Sequence, residues 1–240
     1  MFKVKFDTTP LKNSNVVRGV GFYTKRLLAS LKSQASSHDV EIVESGDCDL
    51  VHYPFFDLFY PTLPIIKEVK TVVTIHDVIP LEFPDHYPPG VRGLLNLIFQ
   101  RLALSTVERV VTDSYASLKS IHKYFKIPHE KLKLVYLAAD PVFRKKSKSE
   151  IKNKFNLPKK FVLYVGDVNY NKNIPGLIAA CKLANLPLVI VGRQAQQIET
   201  MDLSHPQLSH LQNLDLDYPL RLGFVSDEDL VNIYNLATVY

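Results

Sequence analysis

Thr71-Val72-Val73-Thr74-Ile75-His76 is a run in which every residue but the last is β-branched. It is too short for a buried helix and lacks polar alternation, as expected of a strand covered on both faces. Strands of that kind belong to parallel sheets wrapped by helices, so strand and helix signals should alternate on either side of it. They do. Upstream, residues 3–7 read as a first strand. Val20, Tyr23, Leu27, Leu28 and Leu31 then recur at helical spacing, and residues 40–43 and 49–53 are short strands. Downstream come a proline-studded loop over 78–90, an apolar helix over 94–104 and a strand over 109–112. A helix capped by Ser114 ends near Pro128, and a strand spans 132–137.

The alternation restarts at Phe161-Val162-Leu163-Tyr164-Val165-Gly166. Asn173 and Pro175 stand where a helix N-cap and an early helical proline belong, and Ile174, Leu177, Ile178, Cys181 and Ala184 give that helix a buried stripe. Further strands are expected over 188–192 and 220–224. Ser226-Asp227-Glu228-Asp229 has capping-box form ahead of a helix with Leu230, Ile233, Tyr234 and Ala237 on one face. Residues 238–240 begin another strand, a poor place for a parallel sheet to finish. The expected organisation is a complete α/β domain over 1–140, a basic connector over 141–160 and a truncated second α/β domain over 161–240.

The 240 residues are 46% hydrophobic and 22% charged, the composition of a globular protein. Cys48 and Cys181 cannot make a disulfide framework or, alone, a four-ligand zinc site, and the scattered histidines lack paired metal-ligand spacing. No metal is expected. No apolar run approaches the ~18 residues of a membrane-spanning helix, and the N-terminus reads as a strand rather than a signal peptide. A cytoplasmic protein is the expectation.

The net charge of +5 is concentrated between Arg144 and Lys160, where eight cations face Glu150 alone. A nucleic-acid binder would spread its cations over a folded face with aromatics interleaved, so nucleic acid is not an expected partner. The stretch reads as a solvated connector with one short helix turning Ile151, Phe155 and Leu157 inward. Its sharper reading is attraction to an anionic membrane, placing the protein peripherally at the inner face, or to a phosphorylated acceptor.

Three places carry chemistry. Gly19 and Gly21, at the first strand-to-helix turn, let backbone amides approach a phosphate, although the third glycine of a dinucleotide fingerprint is missing. That absence and the long loop disfavour a dehydrogenase. His76 and Asp77 end the convincing strand, where ligands of open parallel sheets bind. His52, at a neighbouring strand end, has the same geometric claim. Lys172 and Asn173 lie at the start of a helix, a good clamp for a diphosphate.

Taken in order, Gly19-Val20-Gly21-Phe22-Tyr23-Thr24, Thr74-Ile75-His76-Asp77-Val78-Ile79-Pro80, Val111-Thr112-Asp113-Ser114, Tyr164-Val165-Gly166 leading to Lys172-Asn173, and the segment from Leu222 to Leu230 form a familiar series. It resembles the retaining, nucleotide-sugar-dependent glycosyltransferases of family 4, and most closely their mannosyltransferase-like branch. The resemblance implies a GT-B fold: two Rossmann-like, doubly wound parallel-sheet domains, the second incomplete here. It implies transfer of a hexose, mannose in that branch, from a nucleotide-diphosphate sugar to a glycan or lipid-linked acceptor, without cofactor or metal, in cell-surface polysaccharide assembly.

By the same resemblance, Gly19 and Gly21 offer amides to the donor diphosphate, His76 hydrogen-bonds the transferred sugar, and Lys172 neutralises the leaving diphosphate. Gly223, Phe224 and Val225 lie against the nucleobase. Asp77, Arg92, Ser114, Asn171 and Arg193 are candidate cleft-lining residues, and the loop over 78–93, with Phe83, Tyr87 and Arg92, is a candidate acceptor site. His76 is expected to matter for activity and little for stability. The chain departs from the family pattern at Asp167 and Asn171, where arginines are common, and it lacks the family's paired glutamates, which would lie beyond Tyr240. A non-catalytic nucleotide-sugar-binding or interaction protein of the same fold is the alternative.

Overall fold

The computed structural model describes residues 1–147 and 149–240; Lys148, one of the cations of the basic stretch, lies outside the described residues. The chain divides into two compact units, one of Met1–Pro84 with Pro88–Leu137 and one of Asp85–Tyr87 with Ala138–Tyr240.

The first unit runs β1 (Phe2–Phe6), α1 (Gly19–Gln34), β2 (Val40–Val43), β3 (Leu50–Tyr53), β4 (Lys70–Thr74), α2 (Ile79–Glu82), α3 (Gly90–Ser105), β5 (Arg109–Thr112), α4 (Tyr115–Phe125) and β6 (Leu132–Leu134). All six strands are parallel, in the order β2-β1-β3-β4-β5-β6. The β-branched run behaves as its composition requires, with Thr71, Val73, Thr74 and Ile75 all buried. Its ladder ends at Thr74, while Ile75 still donates its N–H to the Val111 carbonyl at 2.9 Å. The core gathers Val73, Ile75, Val110, Ile121 and Leu132 from the sheet and α4, with Leu97, Ala103 and Leu104 from α3. The opposite side of α3 leaves Leu94, Leu95, Ile98, Phe99 and Leu102 exposed.

The long loop expected after β1 contains two short 3-10 turns, Thr9–Leu11 and Ser14–Val17. The first helix of the apolar segment starts earlier than its hydrophobic residues suggest, at Gly90 rather than Leu94. Within α3, Gln100 is a buried polar residue that donates to the Asp57 carbonyl at 2.8 Å and to the Thr62 hydroxyl at 2.9 Å. Asn96 donates to the Phe59 carbonyl at 2.8 Å. The loop after β3 is thereby held to the helix.

The second unit runs β7 (Val162–Val165), α5 (Ile174–Leu183), β8 (Leu188–Val191), α6 (Arg193–Gln196), β9 (Leu220–Leu222) and α7 (Asp227–Leu236). Its sheet is parallel in the order β7-β8-β9, and Val162 also bridges Val239. All four residues of β8 are buried, as expected of a strand covered on both faces. On one face, Ile174, Ile178 and Cys181 of α5 pack with Leu188 and Ile190; on the other, Phe161, Leu163, Val189, Val191 and Ile233 form a separate cluster. Burial raises the Cys181 thiol above its ordinary pKa.

The expected helix between 151 and 157 does not form. Asn153 takes the Leu157 N–H on its side-chain oxygen at 2.9 Å, replacing the backbone acceptor a helix would use, and Asn156 is left-handed at φ +50°. Leu157 and Phe155 still face a core, as their apolar character requires. The described cations of the basic stretch stay exposed as expected, Lys146 alone being half-buried, and the stretch is tethered to the second unit. Lys146 donates its N–H to the Asn235 side chain at 2.8 Å, Asn235 donates back to the Arg144 carbonyl at 3.0 Å, and Lys154 pairs with Asp229 at 2.9 Å.

Candidate functional site

In the first unit, His76 lies two residues beyond the end of β4 and Asp113 one residue beyond β5, the adjacent strand. The parallel register sets the two side chains opposite each other, and His76 Nδ1 meets an Asp113 carboxylate oxygen at 2.8 Å. An ionised carboxylate only accepts, so Nδ1–H is the donor and the neutral ring keeps its lone pair on Nε2. That Nε2 is buried and has no hydrogen-bond partner. Tyr23 of α1 packs edge-on against the imidazole, with ring centroids 4.6 Å apart. A buried polar atom left unpaired calls for an explanation, and a site reserved for a ligand hydroxyl is one. His76 is more embedded than expected from its place at a strand end: its side chain and that of Asp113 are each 19% exposed.

His52 is a different case. Its Nε2 lies 2.9 Å from the Thr74 hydroxyl, which Tyr23 also approaches at 3.4 Å, and its ring packs edge-on against Phe6. Burial pushes the imidazole down to about 4, so this histidine is a neutral part of the interior. Folded protein refuses a proton that unfolded chain accepts below pH 6.5. Stability is therefore fully present above that pH and falls as pH drops toward 4, by about 3 kcal/mol. Urea midpoints across this range should fall more steeply for the wild type than for His52→Gln, which retains a partner for Thr74 without titrating. Equal slopes would assign the acid sensitivity to other groups.

The glycines of the first turn separate. Gly19 opens α1 with free space around it, whereas Gly21 is buried, and a Cβ there would run into the backbone of Asn15 and Val16. Gly21 serves the packing of the preceding loop, and Gly19 is the residue open to a ligand. Gly21→Ala should lower stability by roughly 1–3 kcal/mol through overpacking, while Gly19→Ala leaves it within about 0.5 kcal/mol. Thermal melts of the two variants check this, and equal melting temperatures would refute it.

Two other candidates of this unit, Ser114 and Asp77, make local hydrogen bonds. Ser114 caps α4, its hydroxyl accepting the Ser117 N–H at 3.0 Å and donating to the Ser117 hydroxyl at 2.8 Å. Asp77 accepts the Ile79 N–H at 3.0 Å, starting α2. Arg92 is exposed on α3.

In the second unit, three turns follow the carboxyl ends of β7, β8 and β9. Gly166 adopts φ +150°, a conformation that L side chains rarely reach, and a Cβ at Gly192 would run into the Gly166 carbonyl oxygen. The two turns can approach only as glycines. The phenol of Tyr164 donates to the Asp167 carbonyl at 2.6 Å and is pushed up to about 12, by burial first and then by the Asp167 charge. Arg193 is exposed at the start of α6. Phe224 is 70% exposed, whereas the half-buried Val225 packs against the core, leaving the aromatic ring as the more available surface of that turn.

Lys172 ends a 3-10 turn immediately before Asn173. Asn173, left-handed at φ +48°, caps α5 by accepting the Gly176 N–H at 3.3 Å. The Lys172 ammonium is exposed and, among the described residues, has no hydrogen-bond or ion-pair partner. Asn171 is engaged, its side-chain oxygen accepting from the Tyr87 hydroxyl at 2.6 Å. Tyr87 is thereby grouped with the second unit. Among the described residues no group of three or more His, Cys, Asp or Glu side chains could hold a metal ion, and no helix is long and apolar enough to cross a membrane.

A six-stranded and a three-stranded parallel sheet, each with helices, fit a GT-B-like fold with an incomplete second domain. The family model for Glycosyltransferase Family 4 matches residues 6–143, and that for Glycosyl transferases group 1 matches residues 145–240. The chain belongs to Glycosyltransferase Family 4. Among curated relatives, serotype-specific mannosyltransferase WbdA of Escherichia coli is 25% identical over 184 residues, covering 71% of this chain and 22% of WbdA. A second WbdA is 27% identical over 187 residues, with the same coverages. The chain thus spans about a fifth of the length of these relatives. Among solved structures, Anabaena Alr3699/HepE in complex with UDP and glucose superposes with a TM-score of 0.61 at 16% identity, over 99% of this chain and 72% of that one. A glycosyltransferase from Rickettsia africae ESF-5 gives 0.52 at 15% identity, over 98% and 71%.

Proposed function

We propose that this chain forms the acceptor-side unit and a donor-binding part of a retaining hexosyltransferase. The enzyme moves a hexose, mannose by analogy with WbdA, from a nucleotide-diphosphate sugar to a glycan or lipid-linked acceptor. The carrying observation is the Lys172 ammonium, exposed and unpaired among the described residues, beside the capped start of α5. A cation and helix-start amides at one place suit a leaving diphosphate. UDP bound in the HepE structure supports a nucleotide donor. His76, held by Asp113, offers Nε2 to a hydroxyl of the transferred sugar.

Charge on the leaving group is met by protein cations, so no divalent metal is required. The exposed apolar side of α3 supports peripheral placement at the inner face of a membrane, and cell-surface polysaccharide is the product class WbdA suggests. The test is product analysis with the intact protein, following the anomeric proton by NMR from an α-linked donor. An α-linked product formed in the presence of chelator is expected. An inverted product, or activity abolished by chelator and restored by manganese, would overturn the reading.

A further inference from the structure

The strand order of the first unit reverses between β1 and β3: the chain leaves β1 for β2 on one side, then returns to place β3 on the other. Loops leaving two such strands diverge and open a crevice beyond their carboxyl ends, where ligands of open α/β sheets bind. A cavity of about 510 Å³ lies there, lined by the segment after β1 and the segment after β3. Among its walls are Asp7, Asn15, Arg18, Tyr53, Asp57 and Tyr60. None of these was among the residues that the sequence singles out.

The chemistry of the walls is specific. Asp7 accepts both the N–H and the hydroxyl of Thr9 on one carboxylate oxygen, at 3.2 and 2.6 Å. Asp57 likewise accepts the N–H groups of Phe59 and Tyr60 on one oxygen, at 2.8 and 3.1 Å. The second oxygen of each carboxylate makes no hydrogen bond within the described residues. Tyr60 is 70% exposed, offering an aromatic surface beside them. Arg18 is the single cation against two carboxylates, so the cavity carries a net negative charge and repels anions. Free carboxylate oxygens accept from hydroxyl groups, and an aromatic ring covers the apolar face of a pyranose. The wall after β3 is held in place by Gln100 and Asn96 of α3.

We infer that the cavity between the β1 and β3 loops binds an uncharged sugar unit of the acceptor, held by Asp7 and Asp57 and stacked on Tyr60. The inference rests on the transferase reading and adds the acceptor's chemical class and its site. A phosphorylated sugar is disfavoured by the two carboxylates. The site also differs from the 78–93 loop expected to hold the acceptor.

Saturation-transfer NMR on the 240-residue chain tests this, with α-mannobiose, maltose and cellobiose as neutral probes and mannose 6-phosphate as the charged one. At least one neutral disaccharide should bind, and mannose 6-phosphate should bind more weakly. Tyr60→Ala should weaken the disaccharide about fivefold with an unchanged melting temperature. Asp7→Asn keeps the turn with Thr9 but removes charge, so it should weaken the disaccharide and improve mannose 6-phosphate. GDP and UDP binding, measured on the same samples, isolates the donor side. Nucleotide binding without binding of any neutral disaccharide overturns the acceptor site alone, as does preference for the phosphorylated sugar. Disaccharide binding without nucleotide binding upholds the site and counts against the donor reading, and failure of both overturns both.

Discussion

Replacing Lys172 with alanine should reduce transferase activity of the intact protein by roughly 100- to 1,000-fold while leaving its melting temperature unchanged. The size follows from charge that grows on the diphosphate oxygens as the glycosidic bond breaks. A donor aimed at such charge is worth about 3–4 kcal/mol in the transition state. Asn171, where a second cation is common in the family pattern, is neutral and occupied by Tyr87, so no neighbour there can take over. The unchanged melting temperature follows from an exposed ammonium that, among the described residues, supports no other group. Lys172→Arg should recover part of the activity because charge, more than shape, is required. Full activity in the alanine variant would move the phosphate site elsewhere.

His76→Ala should affect both activity and stability, in contrast to the purely functional effect that its position in the sequence suggests. Removing the imidazole takes away a partner of a carboxylate that is only 19% exposed, at a cost of about 2 kcal/mol. It also opens the space against which Tyr23 packs. Loss of the sugar contact proposed for Nε2 should lower kcat on the order of tenfold to hundredfold. Asp113→Asn separates the two effects. The amide fits the same space, so most stability should remain. Asn can nevertheless donate to Nδ1 and so place the proton on Nε2, and kcat should fall with little change in KM. An Asp113→Asn enzyme as fast as wild type would show that the imidazole needs no orienting group.

The alternation of strands and helices was legible because buried parallel strands and amphipathic helices carry their own local patterns. The β-branched run at 71–75, the capping residues Ser114, Asn173 and Ser226, and the apolar 188–191 segment all form what their composition predicts. What the sequence does not show depends on partners distant in the chain. The pairing of His76 with Asp113 spans 37 residues and exists only because β4 and β5 are neighbours in register. The sugar-sized cavity needs Gln100, on a helix, to fix a loop some 40 residues earlier. The grouping of Lys172 with the capped start of α5 was legible for the opposite reason, since cation, cap and helix start are consecutive residues. The failed helix at 151–157 shows the limit of periodicity, because one asparagine side chain captures the N–H that a helix would need.

The two cysteines occupy unlike surroundings, and that difference turns the chain into its own reporter. Cys48 is partly accessible in the first unit, whereas Cys181 is enclosed in the second, with its thiol held in the protonated form by burial. A thiol reagent added at neutral pH should label Cys48 promptly and reach Cys181 only when the second unit opens, since the thiolate is the reactive species. Mass spectrometry of the two peptides over time then reads the opening rate of the second unit separately from the first, without any engineered probe. Nucleotide that binds the second unit should slow the Cys181 signal and leave the Cys48 signal as it was.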